Sequence, residues 1–211
     1  MIKNIVSDLG GCLIICDFKY VVDGLAKYSL LSDEKILKII ERGNDFRDYQ
    51  KGLISSEIFY RRMKEKINFE GSFETFKKIW MEQLFSVNKE YAKLCVDLLK
   101  RGYKIYCLSN INELHWKKIS NNFCEMEIFH RCFLSYQMKK IKPFLEIYEE
   151  IIIKTEGLPH EFIMIDDKEE NIKGAKKAGM HALLYDWKKH AEFAQMISKL
   201  LLKNSPILLK K

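Results

Sequence analysis

The sequence has little that would hold a chain in a membrane or in an oxidising compartment. Its longest apolar runs are a few residues ("CLIIC", "EIIIK", "KLLLK"), far short of the roughly 20 needed to span a bilayer. A charged Asp8 interrupts the first apolar stretch, which argues against a secretory signal. Six cysteines stand at positions 12, 16, 95, 107, 124 and 132, with no Cys-x-x-Cys pair and no zinc spacing. They read as reduced, structural thiols. Proline occurs three times, at 143, 159 and 206, and there are no repeats, low-complexity tracts or flexible linkers. These absences point to a soluble cytoplasmic protein without a membrane partner.

What is present fits one well-packed unit. The chain has 211 residues, 47% of them apolar, which is enough for one core and a smaller appended part. The net charge of +7 comes from 36 basic residues, of which only six are Arg. The lysines are interleaved with glutamates along helical faces, so they read as solvated surface and no nucleic-acid partner is expected.

Short apolar strands alternate with amphipathic helices, the pattern of an α/β fold with a parallel sheet. Strands are predicted at 2–7, 104–109, 131–135, 162–166 and 181–185. Helices are predicted at 89–101, 144–155 and 171–178, stopped by Gly102, Gly157 and Gly179. From 17 to 88 the periodicity is helical throughout, with no convincing strand. "SSEIFYRRMKEKI" puts Ile58, Phe59, Met63 and Ile67 on one face behind an N-cap at Ser55 or Ser56. "SFETFKKIWMEQLF" does the same with Phe73, Phe76, Ile79, Trp80 and Leu84 after Ser72. The expected architecture is a Rossmann-like parallel sheet core (1–16 and 89–211) with an inserted all-helical cap (17–88).

Open α/β sheets bind ligands outside the carboxyl ends of their strands. The first strand ends in Asp8, the second in Ser109 and Asn110, and the fourth in Asp166 and Asp167; Lys142 follows the third. Acids gathered on one edge would repel each other without a cation, so a hard divalent metal, Mg²⁺, is implied, with the Gly10 carbonyl as one ligand. An ionised Asp is a nucleophile at neutral pH. Mg²⁺ and Lys142 would neutralise a phosphoryl group under attack, Ser109 would hold its oxygens, and water would hydrolyse the acyl phosphate.

Four segments, in this order, resemble the haloacid dehalogenase-like hydrolase superfamily: "SDLGGCL", "IYCLSN", "QMKKIKP" and "IDDKEENIKGAKKAGM". The resemblance covers essentially residues 1–202 and is greatest to bacterial phosphatases with a helical cap after the first motif. It implies Asp8 as nucleophile and metal ligand, Lys142 as the catalytic cation, Ser109 and Asn110 as phosphate contacts, and Asp167 with Gly10 as further metal ligands. Asp166 and Asn171 would stand behind them, Asn171 orienting the acid pair or capping the next helix. A small phosphorylated metabolite is the implied substrate, sugar phosphates being frequent in the subgroup; the oligomeric state is left open. The alternatives are a catalytically silent relative that binds a phosphorylated ligand and a 2-haloacid dehalogenase, which would need no metal.

Three positions depart from the family pattern. Gly10 replaces a second Asp that usually serves as general acid and base, worth about 10²–10⁴-fold. Alkyl phosphates would then suffer more than anomeric or acyl phosphates, and relatives with a similar "DLG" motif resemble sugar-1-phosphate phosphatases. Ser7 stands where Phe is usual, and Lys139 where Gly is usual; Lys139 either crowds the site entrance or points to solvent, the latter being preferred. Lys139 and Lys140 are rivals of Lys142 that Pro143 sets aside. In the insertion, Phe46, Arg47 and Tyr49 are candidates to reach the substrate, against a core aromatic stripe. His115 and Trp116 are placed at the pocket rim or in helix packing. The tail "KNSPILLKK" carries no motif.

Overall fold

The computed structural model describes residues 1–82 and 84–203; the sequence expectations for the tail from Asn204, Pro206 included, lie outside the described residues. Five strands, β1 (Asn4–Ser7), β4 (Lys104–Ser109), β5 (Arg131–Leu134), β6 (Phe162–Asp166) and β7 (His181–Leu184), form one parallel sheet in the order β5-β4-β1-β6-β7. The period-two alternation sends neighbouring residues to opposite faces. Ile5, Ile105, Ile163 and Ile165 face one layer, built on α6 (Lys89–Lys100), α7 (Glu113–Asn122) and α11 (His190–Lys203). Val6, Leu108, Phe162 and Met164 face the other, on α9 (Leu145–Lys154) and α10 (Glu169–Lys177). With both faces covered, the three central strands β1, β4 and β6 are buried almost continuously. The α/β, Rossmann-like sheet core expected from the sequence is therefore present.

Between β1 and β4 lie α1 (Lys19–Ala26), α2 (Asp33–Arg42), α3 (Asn44–Gln50), α4 (Ser56–Lys66) and α5 (Phe73–Met81), with a core of their own. Trp80 is its fully buried centre, stacked on Phe76 at 5.6 Å and met edge-on by Phe18 and Phe59. Ser55 and Ser72 cap α4 and α5 through their side chains.

The insertion is not helical throughout. β2 (Ile14–Asp17) pairs antiparallel with β3 (Leu84–Val87) at its base. "LFSV" reads as the end of an amphipathic helix because a four-residue strand is too short to show its own period; its partner, nearly 70 residues away, decides. The side chain of Leu84 lies outside the described part. Ile58, expected on the buried face, is exposed. Gly102 and Gly179 end their helices with φ of 88° and 81°, but after α9 the left-handed position falls on Glu156 (φ 54°) instead of Gly157. Gly157 is needed for a different reason: a Cβ there would come within 2.5 Å of the Phe162 ring.

Candidate active site

The carboxyl ends of β1, β4 and β6, with the loop after β5, bring Asp8, Ser109, Asp167 and Lys142 to the edge of one cavity of about 1150 Å³ below the helical insertion, with Asp166 fully buried behind them. Lys142 is 3% exposed, and its ammonium lies 2.9 Å from Asp8 Oδ1 and 2.6 Å from Asp166 Oδ2. Burial alone would lower the Lys142 pKa; the two carboxylates outweigh it and raise it, so the lysine stays charged. Asp8 Oδ1 also accepts the Leu9 N–H at 2.6 Å, while Oδ2 takes no hydrogen bond among the described residues. That leaves one carboxylate oxygen for chemistry.

Asp166 is saturated by the protein. Its Oδ1 accepts from Asn171 Nδ2 and the Lys168 N–H, both at 2.9 Å, and its Oδ2 from Lys142. It therefore orients Lys142, and Asn171 orients it in turn; Lys168, not Asn171, is the N-cap of α10. Asp167 is exposed toward the cavity and lies against Gly11 (φ +76°), where a Cβ would stand 2.2 Å from its Oδ2. Only glycine leaves room for that approach. Carboxylate oxygens of Asp8, Asp166 and Asp167 lie within 4.8 Å of one another. Burial raises the pKa of Asp8, with Asp166 and Asp167 adding to it and Lys142 opposing. Burial, then Asp166, raises Asp167. Two carboxylates destabilised in their charged form, a glycine cradle and a buried Asn171 Oδ1 without a partner among the described residues fit a hard divalent cation with bound water.

Ser109 is buried at the end of β4 and lines the cavity, its hydroxyl without a partner among the described residues. Asn110 also lines the cavity, but its side chain is taken: Nδ2 donates to the Lys142 carbonyl at 3.0 Å, and Oδ1 accepts the Lys142 N–H at 2.9 Å. It holds the lysine's backbone.

Ser7 is explained by volume and hydrogen bonding. The Tyr91 hydroxyl lies 2.8 Å from Ser7 Oγ, which donates to the Asp8 carbonyl at 2.6 Å. The tyrosine hydroxyl from α6 abuts the Ser7 side chain, in the space a larger residue at position 7 would take, and the pair steadies the Asp8 backbone. Nothing local in the sequence signals Tyr91.

Phe46 and Arg47 of α3 line the cavity, whereas Tyr49 is buried in the insertion's core, stacked on Phe59 at 4.6 Å. Trp116 packs against the sheet-side core. His115 does both: it lines the cavity and stacks on Trp80, its Nε2 donating to the Trp80 carbonyl at 2.9 Å and its Nδ1 facing Asn112 Nδ2. Burial pushes its pKa down to about 4. A neutral buried histidine stabilises the fold above its unfolded pKa near 6.5, and that contribution is lost as pH falls toward 4. The loss is about 3 kcal/mol for a shift of this size. His115→Asn should therefore flatten the stability-versus-pH curve between pH 6.5 and 4 relative to wild type, as read from urea midpoints; parallel curves would exclude the assignment.

A fold of this topology with an acid–lysine cluster at its carboxyl edge matches the haloacid dehalogenase-like hydrolase model over residues 2–179, and the chain belongs to that family. Among curated proteins it is similar to the D-ribitol-5-phosphate phosphatase of Bacteroides thetaiotaomicron, 28% identical over 191 residues (85% of this chain, 89% of the relative). It is also similar to a sesquiterpene phosphatase of Aspergillus oryzae, 26% identical over 183 residues (86% and 88%). Among solved structures, a haloacid dehalogenase family enzyme from Bacteroides thetaiotaomicron in complex with magnesium and inorganic phosphate superposes with a TM-score of 0.76. It is 29% identical, over 88% of this chain and 95% of that one. No helix among the described residues is long and apolar enough to cross a membrane.

Proposed function

We propose that this protein is a Mg²⁺-dependent phosphatase of small phosphate monoesters, sugar or polyol phosphates among them, working through an aspartyl-phosphate on Asp8. The observation that carries the reading is the cluster itself: three carboxylates within 4.8 Å of one another and a buried lysine bonded to two of them. The relatives named as phosphatases, and the neighbour that binds magnesium and phosphate, support it.

Asp8, Asp167 and the Gly10 carbonyl would hold Mg²⁺, which supplies charge neutralisation at the phosphoryl oxygens. Lys142 neutralises a further oxygen, and Asp166 and Asn110 keep it in place. Ser109 donates its free hydroxyl to a non-bridging oxygen. Asp8 Oδ2 attacks phosphorus, the ester oxygen leaves, and water then cleaves the acyl phosphate to regenerate the carboxylate. The helical insertion serves as a cap over the cavity, where Phe46 and Arg47 meet the organic part of the substrate.

No carboxyl stands at position 10 to protonate the leaving oxygen. The backbone does not forbid one: Gly10 has no positive φ, and a Cβ would meet only Cys16 Sγ, at 3.6 Å. Phosphate release from p-nitrophenyl phosphate, a sugar 1-phosphate and a polyol phosphate, with and without Mg²⁺, tests the reading. Wild type should be Mg²⁺-dependent and slowest on the polyol ester. Gly10→Asp should speed the polyol ester by about 10²-fold and p-nitrophenyl phosphate, whose phenolate leaves unaided, much less. No turnover of any ester by folded protein that binds Mg²⁺ would favour a silent phospholigand-binding relative.

A further inference from the structure

We infer that Lys139 is a positioning residue for the catalytic lysine, acting as a catch that fastens the helical insertion to the loops carrying Lys142. Three consecutive residues of the insertion grip these loops. Gln50, the last residue of α3, donates from Nε2 to the Asn110 carbonyl at 3.2 Å, and its own carbonyl accepts from the buried Ser135 Oγ at 2.6 Å. The Lys51 ammonium lies over the Phe144 ring, 5.2 Å from its centroid. The Gly52 carbonyl accepts from Lys139 Nζ.

The receiving residues are not scattered. Ser135, Lys139 and Phe144 belong to the segment that leads from β5 through the short helix α8 (Ser135–Met138) to Lys142 and α9. Asn110 belongs to the loop after β4 and clamps the Lys142 backbone from both sides. Ser135 Oγ also accepts the Ile111 N–H at 2.9 Å, joining the two loops. These four contacts therefore end on Asn110 itself, on Ser135, which bonds the next residue Ile111, or two to three residues from Lys142.

The fit is close. Gly52 (φ +63°) lies so near the Tyr136 carbonyl that a Cβ would come within 2.2 Å of it. Lys139 occupies the left-handed region (φ 57°), where a lysine is disfavoured and a glycine is at ease. A side chain is kept there at a backbone cost, and what it provides is the amine on Gly52. The expectation that Lys139 points only to solvent is thus corrected: it is exposed, yet its amine bonds the insertion. It does not line the cavity, so its effect on turnover runs through Lys142 and not through the substrate.

This inference rests on the phosphatase reading for its kinetic arm. With p-nitrophenyl phosphate and saturating Mg²⁺, Lys139→Gly should lower kcat about threefold to tenfold, the worth of one modest hydrogen bond, with KM within about twofold. Thermal stability should hold or rise, because glycine relieves the left-handed backbone. Lys139→Arg, which keeps a donor, should restore most of kcat. Amide hydrogen exchange should quicken over residues 50–54 and 138–144 in Lys139→Gly. Wild-type kcat with wild-type exchange in Lys139→Gly would overturn the catch, as would a kcat loss that arginine fails to restore. Absence of turnover in the wild type would refute the phosphatase instead, and exchange alone would then decide the catch.

Discussion

Asp8→Asn is expected to abolish turnover while the protein remains folded. The amide keeps the shape of the carboxyl, and its oxygen can still accept the Leu9 N–H and the Lys142 ammonium that now bond Oδ1. It also removes one of two carboxylates that share Lys142, in a place where burial and Asp166 already disfavour its charge. The urea midpoint should correspond to a change within about 1 kcal/mol of wild type, or a gain, because replacing such a charge relieves desolvation. An amide is no nucleophile toward phosphorus, so kcat should fall at least about 10⁴-fold, the scale seen when a covalent nucleophile is removed. Single-turnover phosphate release read beside the urea midpoint tests both halves. Residual activity above about one per cent of wild type would place the nucleophile elsewhere.

The opposite profile is expected of Lys142→Met. The thioether fills much of the lysine's volume but leaves Asp8 and Asp166 buried with no cation between them. Breaking a buried pair in this way typically costs about 3–5 kcal/mol, a large share of the roughly 5–15 kcal/mol that holds a domain together. Two effects soften it. Asp166 keeps Asn171 and the Lys168 N–H as donors, and one carboxyl can take up a proton instead of remaining charged. A loss near the lower end is therefore expected without Mg²⁺, and a smaller one with Mg²⁺ saturating, since the ion supplies charge beside the same acids. Turnover should fall by about 10²–10³-fold, as when a preorganised donor to a developing anion is removed. Urea titrations with and without Mg²⁺ read the stability arm. A loss below about 1 kcal/mol in both would mean that the ion pair does not organise the site.

Both predictions concern residues that were legible in the sequence. An aspartate closing a buried strand, a serine and asparagine closing the next and a doubled aspartate at a strand end stand out because each breaks an apolar run, whereas Lys142 is told from its lysine neighbours only by the proline that follows it. The five sheet strands were equally legible, within a residue or two at their ends, because alternation between two covered faces is a local property. Which member of the acid pair faces the cavity was implied by the family resemblance and not by the spacing: Asp166 is consumed by Lys142, Asn171 and the Lys168 N–H, while Asp167 lies open against Gly11.

The rest was decided by partners far away in the chain. Periodicity reports whether a residue is buried, not against what. β3 exists because Ile14–Asp17 lies beside it. Asn110 reads as a phosphate contact until Lys142 folds onto its amide. Ser7 reads as a departure until Tyr91 supplies the missing volume and a hydroxyl. His115 reads as pocket rim or helix packing until Trp80 stacks on it and its carbonyl accepts the Nε2–H. Lys139 reads as one more solvated lysine in a lysine-rich chain until Gly52 comes within its reach. The sequence by itself determined the sheet, its reactive edge and the charged groups on it, since burying or breaking an apolar run is written residue by residue. Only the tertiary structure determined which of those groups remain free to react, because a hydrogen bond between distant segments uses up a donor or acceptor without leaving a trace in either segment's own pattern.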